Sequence, residues 1–408
     1  MNEIFLTIFF ISLLLFLLGS GVWVALSMIA VSAIGMFLFT TRPVGDAMAT
    51  TIWGTSSSWT LTALPLFVWM GEILFRTKLS ENLFKGLSPF LSKLPGGLIH
   101  VNVVGCALFA AISGSSAATV ATVGKMSIPE LRKRKYPEKL LLGSLAGSGT
   151  LGLLIPPSII LIIYGVTIED SIAKLFMAGI IPGIMLAILF MTYVVIWSIL
   201  NKKLMPRTMQ NFSLSQKIKG SKQLLPVILL ITSVIGSIYT GIATATEAAS
   251  LGVVGALILS WFQQTLNKET FKLSLLGATK TSCMIAFILA GSTFLSLAMG
   301  FTGLPRNLAI WIQEMNLSPY MLIFILTIFY IILGMFLDGI SAVVLTMAII
   351  EPMIRQAGFD MIWFGIYLVI VVEMAQITPP VGFNLFVLQG MANKDMAFIA
   401  KSAFPLFL

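Results

Sequence analysis

Apolar runs suited to crossing a lipid bilayer recur along the whole chain, for example at residues 4–18, 224–239 and 321–336. A helix of mainly apolar residues is the simplest way to cross the hydrocarbon layer, because it satisfies its backbone hydrogen bonds internally. The composition agrees, since 58% of the residues are hydrophobic, only 10% are charged, and the mean hydropathy is +1.00. The sequence therefore predicts an all-α polytopic membrane protein.

Basic residues give the orientation of the predicted spans. The formal net charge is +9, yet most of the 25 Lys and Arg residues fall in short loops between apolar runs, where they report topology rather than nucleic-acid binding. The positive-inside rule places these loops in the cytoplasm, so both termini face the outer side of the membrane. The loops are residues 76–93, 125–139, 202–222, 268–280 and 394–401.

One apolar stretch, residues 97–123, lies between two of these cytoplasmic loops, so it must enter and leave the membrane on the same side. Small polar residues at 113–116 interrupt it, which is typical of two half-helices that meet at a tip. Lipid tolerates such backbone only where protein or water surrounds it. We therefore predict a re-entrant hairpin whose tip lies at a buried site.

The pattern returns in the second half of the chain. Residues 112–117 (ISGSSA) match 337–342 (LDGISA), and the Pro156-Pro157 pair matches Pro379-Pro380. The orientation of the spans inverts between the halves, which is typical of secondary transporters with a site near the bilayer midplane.

The predicted organisation is two inverted repeats, each with a re-entrant helical hairpin and a broken transmembrane helix. The first repeat, 1–200, has scaffold helices 1–60, an arm helix 80–94, an inner hairpin 97–130 and a broken helix 139–166. A cytoplasmic linker, 201–222, follows. The second repeat, 223–408, has scaffold helices 223–263, an outer hairpin 317–355 and a broken helix 361–390.

The interruptions offer oxygen ligands. Each Pro-Pro pair removes backbone donors and frees carbonyl groups, which together with Ser and Thr hydroxyls suit a hard cation such as sodium. Half-helix N-termini suit an anion. One cation site per repeat is the natural number. None of the interruptions contains Lys or Arg, so an anionic substrate would depend on bound cations and helix dipoles.

Three acids lie within apolar segments. Asp338 is at the second hairpin tip, where it either binds a cation or substrate or simply caps the returning helix. Glu373 and Glu247 are either functional groups or structural acids paired with neighbouring hydroxyls or backbone.

The motifs AAISGSSAAT at 110–119, GTLGLLIPPS at 149–158 and QITPPVG at 376–382 resemble those of one family. Over nearly the whole chain, the sequence resembles the large membrane subunit of tripartite ATP-independent periplasmic (TRAP) transporters. This resemblance implies an elevator-type, sodium-driven importer of an organic acid in a bacterial inner membrane, with both termini in the periplasm. It also implies two protein partners, a small four-helix membrane subunit and a periplasmic substrate-binding protein. It implies two or more sodium ions and no organic cofactor. Residues 70–76 and 94–97 are most reminiscent of members that carry sialic acid, and C4-dicarboxylates are the next candidates.

The resemblance also implies site residues. The substrate would meet Ser113, Ser116, Ser158, Asp338 and Asn384. One sodium site would use Gly114, Ser115 and Ser116 with Ser148, Gly149 and Thr150. A second would use Gly339, Ser341, Gln376 and Thr378.

Three other functions remain open at the level of sequence. A sodium/dicarboxylate symporter that needs no binding protein shares the hairpin plan, although its usual Ser-Asn-Thr signature is missing at both tips. An intramembrane enzyme would use Ser115 or Ser116 as a nucleophile, but the sole histidine, His100, precedes them by about a dozen residues of the same hairpin and no GxSxG motif occurs. A channel would need rings of ligands around an axis. The sequence therefore predicts a transporter and not an enzyme.

Overall fold

The computed structural model describes residues 3–206, 213–303 and 318–408. Part of the predicted linker, 207–212, and the first residue of the predicted outer hairpin, 317, lie outside the described residues. Within these ranges the secondary structure is helical, with no β-strand. The prediction of an all-α fold is confirmed.

The α-helices of the first half have these bounds: α1 Glu3–Gly19, α2 Val24–Phe39, α3 Val44–Ser56, α4 Ala63–Phe75, α5 Leu79–Leu91, α6 His100–Ser113, α7 Ser116–Lys133, α8 Glu138–Gly149, α9 Leu151–Leu154, α10 Ile159–Thr167 and α11 Ile172–Leu200. Those of the second half are α12 Leu214–Tyr239, α13 Ala245–Phe262, α14 Lys268–Thr302, α15 Pro319–Gly334, α16 Gly339–Gln356, α17 Met361–Ala375, α18 Phe383–Ala392 and α19 Met396–Phe407.

Six helices in the described ranges are long and apolar enough to cross a membrane, and a seventh span results if the bent pair α3 and α4 counts as one. That pair changes direction by 54° between Ser56 and Trp59. Shorter apolar helices, such as α15 and α17, accompany them. Length and composition thus identify a multi-pass membrane protein.

Continuous and interrupted helices occupy different places. The stretch 138–167, which contains α8, α9 and α10, is almost entirely buried in protein, whereas the unbroken α11 has nine exposed large apolar side chains. An interrupted helix has backbone groups without helical partners, and lipid cannot satisfy them. The breaks within 138–167 therefore lie in the interior, and α11 lies at the periphery.

The amphipathic α5 packs against α12. Leu83, Phe84 and Leu87 are buried, while Phe90 on the same predicted apolar face is 47% exposed. The two helices approach closely at a pair of glycines, since a Cβ on Gly86 would lie 3.1 Å from the Gly220 carbonyl oxygen. The predicted arm, 80–94, corresponds to this helix and the turn that follows it.

Candidate functional site

The first tip is the break between α6 and α7. Gly114 has a φ of +57°, which favours glycine, and its carbonyl accepts a hydrogen bond of 3.3 Å from the amide of Ile159. A Cβ at this position would lie only 2.7 Å from the Pro157 carbonyl oxygen. The tip and the first Pro-Pro turn are therefore in direct backbone contact.

Gly152 brings the neighbouring break, between α8 and α10, onto the same tip. A Cβ on Gly152 would lie 2.7 Å from both the carbonyl oxygen of Ser115 and the amide nitrogen of Ser116. Both atoms belong to the backbone, so no side-chain rotation relieves such a contact. The absence of a side chain at Gly152 therefore allows the tip and the broken helix to fit together.

Side chains of the first tip stabilise the turn and connect it to the second half of the chain. The Ser113 hydroxyl lies 3.0 Å from that of Thr119, and Ser115 caps α7 by accepting a bond from the Ala118 amide. The Ser116 hydroxyl donates a bond of 2.6 Å to Oε2 of Glu373 on α17. The predicted tip of the first half thus meets the broken helix of the second.

The second tip precedes α16. One carboxylate oxygen of Asp338 accepts hydrogen bonds from the amides of Ile340 (3.1 Å) and Ser341 (3.2 Å), so Asp338 caps the helix. Gln376 donates from its side chain to the Leu337 carbonyl oxygen at 3.3 Å. The backbone N–H of Asn384 in turn donates to the Gln376 carbonyl oxygen at 3.1 Å. These bonds hold the second tip against the second Pro-Pro turn.

Several buried side-chain polar atoms near the breaks have no hydrogen-bond partner within the described residues: Ser148 Oγ, Oδ1 and Nδ2 of Asn384, and Glu373 Oε1. Buried polar groups are normally paired, so such atoms indicate a place for a ligand. A Cβ on Gly149 would lie 3.6 Å from Asn384 Nδ2, which places the two halves of the chain in contact here. Oxygen donors of this kind fit the sodium ion that the sequence implies.

A central cavity of about 640 Å³ lies between the two tips. It receives six of the predicted site residues: Ser113, Ser115, Ser116, Asp338, Gly339 and Gln376. The other predicted residues do not line it: Gly114, Ser148, Gly149, Thr150, Ser158, Ser341, Thr378 and Asn384. Of these, Thr150 and Thr378 donate to carbonyl oxygens of their own helices at 2.6 Å and 2.7 Å.

Two polar lining residues, Glu72 on α4 and Thr281 on α14, were not among the candidates from the sequence. Glu72 carries the general signal of an acid inside an apolar run, which would have identified it. Thr281 carries no such signal, because a single hydroxyl in a long helix is common. Both residues lie on helices that contain neither tip. The cavity is therefore bounded by the helices that carry the tips and by a second group that includes α4 and α14.

Ser158 is fully buried and acts as the N-cap of α10. Its hydroxyl donates to the Leu153 carbonyl oxygen and accepts from the Leu161 amide at 3.3 Å. We expect Ser158→Ala to lower the stability of the purified protein by about 1 kcal/mol, the usual effect of losing a cap, without changing the substrate concentration for half-maximal uptake. Thermal unfolding and uptake kinetics test this. A large change in that concentration at unchanged stability would instead support the predicted substrate contact.

The sequence model of the family described as "Tripartite ATP-independent periplasmic transporter, DctM component" matches residues 10–408. The chain belongs to this family. The predicted resemblance is confirmed, and so is the prediction that the chain is not an enzyme, because the TRAP relatives are named as transporter permeases.

Two relatives illustrate the range of the TRAP family. The C4-dicarboxylate TRAP transporter large permease of Pseudomonas aeruginosa is 33% identical over 374 residues, covering 91% of this chain and 87% of the relative. The sialic acid TRAP transporter large permease of Vibrio cholerae is 29% identical and covers 96% of this chain and 91% of the relative. The YdaH transporter of Alcanivorax borkumensis superposes with a TM-score of 0.65 at 12% identity over 94% of both chains, which shows a similar fold.

Proposed function

We propose that this TRAP subunit imports an organic acid together with sodium, receives it from a periplasmic binding protein, and works with a small four-helix membrane subunit. The observation that carries this proposal is the central cavity between the two tips, whose lining includes Glu373, a carboxylate with one buried oxygen that has no partner in the described part of the chain. Sialic acid is the first candidate substrate, on residues 70–76 and 94–97. A C4-dicarboxylate is the second, favoured by the name of the P. aeruginosa relative.

The two groups of helices suggest how the cavity moves. We assign the tips and interrupted helices to a mobile body and α2, α4, α12, α13 and α14 to a scaffold, as in an elevator related by inverted repeats. At the boundary, the Ser292 hydroxyl on α14 donates a 2.6 Å bond to the Val344 carbonyl oxygen on α16. A single bond of this kind contributes only about 1 kcal/mol, so it does not prevent sliding. Sodium, when bound, would supply positive charge beside the substrate carboxylate, while Ser113 and Gln376, which line the cavity, would orient that carboxylate.

Uptake by proteoliposomes that contain this chain and its small subunit tests the proposal. We expect radiolabelled sialic acid to accumulate only when both an inward sodium gradient and the binding protein are present. None of the described lining residues carries a permanent positive charge that could replace sodium, and the binding protein is proposed to deliver the acid. If sialic acid is not taken up and a C4-dicarboxylate is, the transport mechanism stands with the second substrate. Sodium-driven uptake without the binding protein would contradict the tripartite mechanism and favour the simple symporter.

A further inference from the structure

The charge of the central cavity is opposite to what an organic acid needs. Among the described residues that line it, Glu72, Asp338 and Glu373 are carboxylates and none is Lys, Arg or His. An anion entering such a cavity meets like charge in a medium that screens poorly. The cavity therefore needs compensating positive charge before a carboxylate substrate binds there.

Two of the three carboxylates are already compensated. Glu72 forms an ion pair with Arg76, one helical turn further along α4. Asp338 accepts two amide bonds at the N-terminus of α16, where the helix dipole also favours a negative charge. These two groups need no additional ligand.

Glu373 differs from both. It is only 2% exposed, and its one hydrogen bond is the 2.6 Å contact from the Ser116 hydroxyl to Oε2. The other oxygen, Oε1, is buried with no partner in the part of the chain that the structure describes. Burying a carboxylate without a countercharge costs several kcal/mol. A single hydroxyl does not supply that countercharge.

The position of Glu373 in the proposed repeat agrees with a ligand role. Glu373 lies six residues before Pro379, and Thr150 lies six residues before Pro156. The family resemblance assigns Thr150 to a sodium site. Glu373 therefore occupies, in the second broken helix, the place that a predicted cation ligand occupies in the first, and its hydroxyl partner Ser116 is itself a predicted ligand.

We infer that Glu373 is a carboxylate ligand of a sodium ion held at the wall of the central cavity, and that this ion must be present before the substrate carboxylate binds. The inference rests on the proposed sodium-coupled function and adds one residue and a binding order to it. A monovalent ion is sufficient for one carboxylate.

Glu373→Gln is the variant that tests this, because glutamine keeps the size of the side chain and an oxygen that accepts from Ser116 but removes the charge. Glu72→Gln is the matched control, since it makes the same chemical change in the same cavity at a carboxylate already paired with Arg76. Glu373→Asp keeps the charge. All three are compared with the unmodified chain, each purified with the small membrane subunit in detergent.

Equilibrium binding of ²²Na⁺ without substrate is the first measurement. We expect the unmodified chain and Glu72→Gln to bind the same number of sodium ions, and Glu373→Gln to bind one fewer. The rise in melting temperature on adding sodium, which also shows that each variant is folded, should shrink for Glu373→Gln alone. Glu373→Asp should retain the full number of ions with affinity reduced by about tenfold, because its carboxylate is withdrawn by one methylene.

Substrate binding to the same samples tests the order. The unmodified chain should bind the labelled acid only in sodium, whereas Glu373→Gln should bind it with weaker dependence on sodium. An unchanged number of sodium ions in Glu373→Gln would overturn the inference. If Glu373→Gln in proteoliposomes then also loses a pH dependence of uptake that the unmodified chain shows, Glu373 is a proton carrier instead. If the unmodified chain binds no sodium at all, the proposed sodium coupling itself fails.

Discussion

Replacing Gly152 by alanine is expected to reduce uptake by about a hundredfold while the protein still reaches the membrane. The added Cβ would meet the Ser115 carbonyl oxygen and the Ser116 amide nitrogen at 2.7 Å, closer than real Cβ atoms come to other heavy atoms. The backbone of the tip must therefore move away from the broken helix. Overpacking of this kind costs about 1–3 kcal/mol, and a displacement on the order of 1 Å in a binding site can cost two orders of magnitude in rate.

Gly105→Ala is the control for this prediction. Gly105 lies on α6, and a Cβ there would meet the Val123 side chain at 3.6 Å, an ordinary van der Waals distance. Initial uptake rates in proteoliposomes, normalised to the amount of folded protein, compare the two variants. Normal uptake by Gly152→Ala would mean that the tip is not held in place by this contact during transport.

The parts of the fold that the sequence predicted depend on local signals. The interruption at 113–116 and the Pro-Pro pairs predicted helix breaks, and helices end or begin beside each of them. Small polar residues and proline act within one turn, so their effect can be read without a structure. The inverted relation of the halves, the elevator motion and the outward termini stay predictions.

Other features depend on long-range packing. α14 runs unbroken through Lys268–Thr302, so residues 268–280, which sequence analysis assigned to a cytoplasmic loop, form the first turns of a helix, because basic residues report topology and not whether the backbone is helical. Gly277 in this helix accommodates Glu72, whose Oε2 lies 2.6 Å from the position of a Cβ on that glycine. The bend between α3 and α4 also contains no proline, so the sequence did not predict it.

In the candidate site, too, local motifs predicted some residues and long-range packing determined others. Sequence motifs predicted six residues of the cavity lining but not Glu72 or Thr281, which reach it from other helices. Motifs also could not distinguish a residue that lines the cavity, such as Ser116, from one that only caps a helix, such as Ser158. That distinction depends on the direction of a side chain, which the spacing of residues in a motif does not determine.

For Asp338, position alone does not separate a capping role from a role in binding, because the residue both caps α16 and lines the cavity. We expect Asp338→Ala and Asp338→Asn each to abolish uptake, but only Asp338→Ala to lower the melting temperature. Asparagine is about as good an N-cap as aspartate, whereas alanine at an N-cap costs about 1 kcal/mol. The asparagine variant therefore removes the charge and keeps the cap.

Asp360→Asn is the matched control, since Asp360 caps α17 by accepting from the Trp363 amide at 2.8 Å but does not line the central cavity. It should leave both uptake and stability near those of the unmodified chain. Uptake by Asp338→Asn at the normal rate would show that the carboxylate only caps the helix and that the charge at the second tip plays no part in binding. Loss of uptake in Asp338→Asn at unchanged stability would establish that charge as part of the transport site, because the helix that Asp338 caps would then be intact.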